Sequence, residues 1–139
     1  ILQIASLIKL DLYAPFAFPL AAFWGRVSQI FAIENYEYIF NKESLSFHHQ
    51  HWKGIHKEMI PSVLILSVGM IIYLFVSNLN IYNNLLLFYC ILSGIITSML
   101  IPKLINKSLG GHSGDSYGAS LVITETTNLL LLSIILVPN

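Results

Sequence analysis

Two apolar runs, Ile60–Ser77 and Leu85–Ile101, contain no aspartate, glutamate, lysine or arginine. Each reaches the roughly 17–25 residues that a membrane-crossing helix requires. Between them lies only Asn78–Asn84, a polar turn with four asparagines and no basic residue. Inside a bilayer each backbone N–H and C=O must find a partner within the protein, and a continuous apolar run meets that condition as a helix. The composition agrees. The chain of 139 residues is 55% hydrophobic and 10% charged, with a mean hydropathy of +0.71, whereas soluble domains carry about 25% charged residues. The expected fold class is therefore all-α, a polytopic integral membrane helix bundle forming one domain over residues 1–139. It has about four spanning helices plus the truncated end of an N-terminal one.

Seven basic and seven acidic residues cancel. No basic cluster points to nucleic acid. The single cysteine, Cys90, excludes an internal disulfide and sits in an apolar run, where it reads as a small apolar residue.

Ile1–Leu10 reads as the end of a helix, and the first residue is not methionine, so the expectation is the C-terminal part of a longer chain. Pro15 and Pro19 mark the entry to a helix from about Phe16 to Ile33, where proline is tolerated in the first turn. Arg26 lies well inside it, with Gln29 one turn later on the same face. Glu34–Met59 is the longest polar connection, rich in Tyr, Phe and Trp, and suits the headgroup region. Its histidines, His48, His49, His51 and His56, have poor spacing for zinc and read as a solvated loop. After Leu85–Ile101, Pro102 is expected to stop the helix. Lys103–Tyr117 is then a glycine-rich connection, and Gly118–Val137 the last span. Lys42, Lys53, Lys57, Lys103 and Lys107 fall on one side and Lys9 on the other, which places the glycine-rich turn and the histidine loop together on the cytoplasmic face.

The chemical equipment gathers in Gly110-Gly111-His112-Ser113-Gly114-Asp115-Ser116-Tyr117-Gly118. Free N–H groups at a helix start, with glycines beside them, make an anion-binding concavity. Asp115 would repel a bare phosphate but would hold a phosphate-bridging Mg²⁺. Gly110, Gly114 and Gly118 are equally spaced as a small-xxx-small helix-packing motif, and spacing alone leaves both readings open. His112 would contact phosphate, act as acid or base, or simply face solvent. Glu125 lies seven residues beyond Gly118, about 10 Å into the last span at a rise of ~1.5 Å per residue. A carboxylate at that depth is costly unless paired or hydrated, and it marks a functional position by default. Arg26 needs a carboxylate, carbonyls or a substrate phosphate.

The segment Gly110–Ala119, followed by Glu125, resembles the C-terminal signature of the cobalamin synthase (adenosylcobinamide-GDP ribazoletransferase) family: Gly-Gly-X-Thr-Gly-Asp-X-X-Gly-Ala, then a glutamate in the next span. Ser113 replaces the usual threonine and keeps the hydroxyl. Trp24-Gly25-Arg26-Val27-Ser28-Gln29, and later Phe47-His48, resemble that family's arginine-bearing helix and the loop after it. The resemblance implies a multi-pass enzyme of the prokaryotic inner (plasma) membrane in cobalamin (vitamin B12) biosynthesis. It would join adenosylcobinamide-GDP to α-ribazole or its 5′-phosphate, release GMP, and require Mg²⁺. On that reading Asp115 and Glu125 are the catalytic and metal-holding acids. Arg26, Gly110, Gly111, His112, Ser113 and Gly114 bind substrate phosphate. The family's N-terminal motif Asp-Gly-X-X-Asp-X-X-Asp-Gly is absent from this sequence, so residues 1–139 alone are expected to be inactive.

Three other readings start from the same residues. Arg26 and Glu125 would line the path of a transporter or channel component. A second is another membrane phosphotransferase of nucleotide-activated alcohols. The third is a helix-packing subunit with no site.

Overall fold

A computed structural model describes residues 1–39, 52–76 and 81–137, with the side chains of 56, 65, 68–76 and 81–87 outside the described set. Five α-helices account for nearly all of it: α1 (Leu2–Leu10), α2 (Ala14–Asn35), α3 (Ile55–Val76), α4 (Ile81–Leu109) and α5 (Gly114–Ile135). A short 3₁₀ turn, Asp11–Tyr13, joins α1 to α2. The protein is an all-helical, multi-pass membrane bundle. Among the described residues, three stretches are long and apolar enough to cross: Leu2–Asn35, Phe88–Leu109 and Gly114–Ile135. The fourth expected span, Ile60–Ser77, falls on α3, whose later side chains lie outside the described set, so the count among described residues is three.

Several helix ends need correction: α3 begins at Ile55, inside the expected connection Glu34–Met59, and α4 at Ile81, inside the expected turn Asn78–Asn84. Pro102 does not stop α4, which continues through it to Leu109. In a membrane helix, neighbouring helices and local adjustment re-satisfy the backbone groups that proline leaves free, and Pro102 is buried. The expected connection Lys103–Tyr117 therefore shrinks to Gly110–Ser113. The last helix begins at Gly114 rather than Gly118, because Ser113 and Ser116 form a reciprocal capping box there.

Helices α2 and α5 form the main contact, with α4 packed on both. They run antiparallel. Gly25 meets Glu125, Ser28 meets Thr124, and the end of α2 meets the start of α5. A Cβ on Gly25 would lie 2.5 Å from Glu125 Cγ and 3.0 Å from the Leu121 carbonyl. A Cβ on Gly94 of α4 would lie 2.0 Å from the indole nitrogen of Trp24. These two glycines, and not the series Gly110, Gly114 and Gly118, set the helix approach within the chain. Gly114 and Gly118 have nothing within 4 Å of an added Cβ. Helix α1 runs along the second half of α5. Gln3 donates to the Thr126 hydroxyl at 3.0 Å, and Leu10 joins a core with Ala17, Leu20, Trp24, Leu129 and Leu132.

The interior is partly polar. The buried Thr124 hydroxyl donates to Ser28 at 2.9 Å, tying α5 to α2. Asn128, Ser120, Thr97 and Ser98 are buried in the same bundle. Thr97 and Ser98 donate back to carbonyls of their own helix, as hydroxyl residues in membrane helices commonly do.

Candidate functional site: the glycine turn and the charges at mid-span

The turn is built from both sides. Gly110 ends α4 with φ +75° and its N–H bonds to the Asn106 carbonyl at 2.8 Å, a left-handed helix stop. Gly111 has φ +153°, and an added Cβ would lie 2.8 Å from Ile39 Cγ1 and 2.9 Å from the Glu37 carbonyl. Tyr38 and His112 pair as a parallel β-bridge, in which His112 N–H donates to the Glu37 carbonyl at 2.8 Å and Ile39 N–H to the His112 carbonyl at 2.9 Å. The backbone after α2 is thus fastened to the turn. A Gly111→Ala protein is expected to lose this bridge: amide exchange of Ile39 and His112 should accelerate together. Unchanged protection would mean that the close approach at Gly111 carries no strain.

Trp52 is the first described residue after 40–51, and its indole N–H donates to the Glu34 carboxylate at 2.7 Å. Both described ends of the connection between α2 and α3 therefore lie at the glycine-turn end of the bundle, as expected. His48, His49 and His51 lie outside the described residues, as does the side chain of His56.

His112 is fully buried. Its ring stacks on Tyr117 (centroids 5.3 Å apart, planes 6° apart) and on Tyr36 (5.3 Å, 24°). Nδ1 lies 3.0 Å from the Ser116 hydroxyl and Nε2 3.1 Å from the Pro102 carbonyl. Burial lowers its pKa from the usual 6.5, against a smaller opposing effect of the Pro102 hydrogen bond. The unfolded chain therefore takes up this proton first as pH falls. Stability is full above about 6.5 and declines as pH drops below it toward the depressed folded value. Unfolding in detergent should show this acid loss, and a His112→Phe protein should lack that part of the pH slope.

Asp115 occupies a different environment. It is exposed in the first turn of α5 and lines a groove of about 530 Å³ between α4 and α5, together with Ser113, Ser116, Ala119, Ile105 and Leu109. By helix geometry the N–H groups of Gly114 and Asp115 have no intrahelical acceptor. Gly114 leaves open space beside them.

Glu125 is not part of this turn. Because α5 starts at Gly114, Glu125 lies about 16 Å along the helix at ~1.5 Å per residue, near its middle. It is half-buried against Gly25. Ten residues separate it from Asp115, about 15 Å of rise, and one metal ion cannot take both carboxylates. Arg26, on α2 beside Gly25, is exposed and donates to Gln29 Oε1, the residue one turn later. Among the described residues its guanidinium is paired with neither Glu125 nor Asp115. The structure therefore resolves the predicted residues into two places: the turn, with Gly110, Gly111, His112, Ser113, Gly114 and Asp115, and a station at mid-span with Arg26 and Glu125. Among the described residues no group of three or more His, Cys, Asp or Glu forms a metal cluster. The sequence reading missed Gly94, the Pro102 carbonyl and Tyr36. Only Tyr36, an aromatic at the end of an apolar helix, had any local signal.

The sequence profile of cobalamin-5-phosphate synthase matches residues 1–133. A protein of Prochlorococcus marinus (strain SARG / CCMP1375), named adenosylcobinamide-GDP ribazoletransferase, is 47% identical over 98% of this chain and 52% of its own length. The protein of the same name from Prochlorococcus marinus (strain MIT 9313) is 38% identical over 98% of this chain and 53% of its own length. That from Trichormus variabilis (strain ATCC 29413 / PCC 7937) is 29% identical over 97% and 52%. The chain spans about half the length of these curated relatives. No solved structure is significantly similar to it. With all but its last few residues matched, the chain belongs to the cobalamin-5-phosphate synthase family.

Proposed function

We propose that this chain forms one wall of the site of a Mg²⁺-dependent transferase of cobalamin biosynthesis, joining adenosylcobinamide-GDP to α-ribazole or its 5′-phosphate with release of GMP. The observation that carries the reading is Asp115, exposed at the start of α5 beside an open glycine, in a chain of this family. In the reaction a ribose hydroxyl attacks the corrinoid-side phosphorus of the diphosphate. The new P–O bond forms as the bond to GMP breaks, GMP takes the electron pair, and the hydroxyl proton passes to a base. Such displacements depend on positioning and on stabilising charge.

The residues of the turn fit a Mg²⁺ ion, because Mg²⁺ commonly takes only one or two carboxylates together with substrate phosphates. Asp115 would hold it, and the bound ion would neutralise charge on the diphosphate. The free N–H groups of Gly114 and Asp115 point out of the positive end of α5, where they donate to phosphate oxygens. Arg26 offers a guanidinium to a phosphate at mid-span. Glu125, about 15 Å of rise from Asp115, is too far along α5 to share its ion or to reach a hydroxyl attacking a diphosphate held at the turn, and is assigned a contact with another part of a substrate lying along α5. On this assignment, Glu125→Gln raises KM for a substrate, while kcat and the Mg²⁺ dependence stay near wild type. A shifted Mg²⁺ dependence would return Glu125 to metal binding.

The deciding experiment incubates a purified full-length protein containing these residues with adenosylcobinamide-GDP, α-ribazole and Mg²⁺. GMP should appear only with both substrates and should vanish with EDTA; no GMP under any condition overturns the reading. The same reading puts the protein in the inner membrane of a prokaryote with the glycine turn on the cytoplasmic side. A transport reading has one observation in its favour, the two mid-span charges beside a buried polar interior. Flux into liposomes without GMP release would put it first.

A further inference from the structure

We infer that His112 is a positioning residue: its imidazole fixes the first turn of α5 to α4 and so sets the direction in which Asp115 points. This rests on the proposed role of Asp115 for its functional meaning, but not for its geometry. The Pro102 carbonyl can only accept, so the ring atom facing it, Nε2, carries the hydrogen. In a neutral ring Nδ1 is then an acceptor, and the Ser116 hydroxyl at 3.0 Å donates to it. Ser116 Oγ in turn accepts the Ser113 N–H at 2.7 Å. It also lies 3.1 Å from the Ser113 carbonyl, but that carbonyl keeps the Tyr117 N–H at 3.0 Å either way, whereas the buried Nδ1 has the hydroxyl as its one donor among the described residues, so the hydroxyl proton belongs on Nδ1. The result is a chain of fixed polarity from Ser113 N–H through Ser116 and His112 to Pro102.

Asp115 stands between the two serines of this chain. Its backbone direction is set by the capping box, and the capping box is tied through the ring to the interior of α4. Both ring nitrogens are engaged, both ring faces are covered by Tyr36 and Tyr117, and the residue is fully buried. No edge remains for a phosphate. The polar residue that looks most like a ligand in the turn thus supports the ligand-facing residue from behind.

The test uses a full-length protein containing these residues, in detergent, with ¹⁵N-labelled histidine and ¹³C-labelled aspartate. The His112 ring should show the neutral Nε2–H tautomer at neutral pH. It should not respond to MgCl₂ with inorganic pyrophosphate. An Nδ1–H tautomer, an imidazolium, or a shift on adding pyrophosphate would overturn the proposal. Two variants supply a second measurement. His112→Phe fills the slot without hydrogen bonds and should speed amide exchange at Ser113 and Ser116 by about tenfold, the scale of one or two lost hydrogen bonds. His112→Gln keeps a donor toward Pro102 and should recover much of that protection. Full protection in the Phe variant would overturn the proposal, and should that variant fail to fold, the wild-type tautomer decides. The Asp115 carboxyl signal separates the two readings. If it ignores Mg²⁺ and pyrophosphate while the tautomer is as expected, the metal–phosphate role of the turn fails and the positioning role stands.

Discussion

An Asp115→Asn protein, in a full-length chain containing these residues, is expected to release GMP at under about one hundredth of the wild-type rate, at any Mg²⁺ concentration. Removing one group that stabilises transition-state charge costs about 10²–10³ in kcat. The loss should be at least of that order if Asp115 is the turn's only carboxylate toward the ion. Fold damage does not account for such a loss. Asp115 is exposed, and the capping box at its helix start is made by Ser113 and Ser116, not by Asp115. The unfolding midpoint in detergent should therefore stay near wild type, less a few tenths of a kcal/mol for an acid lost from the positive end of a helix. Turnover near normal would remove Asp115 from the metal site, and recovery at high Mg²⁺ would make it a weak, outer contact.

The second large effect is structural. Gly94→Ala is expected to destabilise the bundle by about 1–3 kcal/mol, the usual cost of forcing extra carbon into a packed interior, and Gly94→Val by more. The added Cβ meets three atoms of the Trp24 ring at 2.0–2.2 Å. That ring cannot swing away freely, because Trp24 is in the main core and packs edge-on against Phe23, centroids 5.0 Å apart. Denaturant unfolding and Trp24 fluorescence should both report the change. Shrinking the partner checks the cause: Trp24→Leu combined with Gly94→Ala should cost less than the two changes summed, the signature of a direct contact. Strict additivity, or a Gly94→Ala protein as stable as wild type, would show that the approach of α4 to α2 is loose.

The helical bundle was legible because apolar runs of spanning length have few other solutions. Arg26 and Gln29 were legible as a pair because helical neighbours three apart share a face, and they bond as their spacing suggested. The ends of α4 and α5 were not. Proline and clustered glycines are the strongest local breakers, and here both are overridden. Pro102 is held inside α4 by burial, and Gly114 enters α5 because a serine capping box precedes it. That error of four residues at the start of α5 placed Glu125 too shallow and too near the turn. The role of His112 was illegible for another reason. Its partners come from the end of α2 (Tyr36) and the interior of α4 (Pro102), and no spacing along one element brings them together. The same holds for Gly94, whose need to be glycine is written in Trp24 of another helix.

The bridge between Tyr38 and His112 also says something about time. A ribosome delivers Tyr38 long before Pro102, His112 and Ser116, and chains made from the N-terminus settle in that order. The backbone after α2 therefore waits, with its N–H and C=O groups unpaired in this bridge, until α4 has been threaded and α5 has begun. The glycine turn takes its shape only once the first turn of α5 has been made, so a chain that stops before Ser116 leaves both sides of the bridge open.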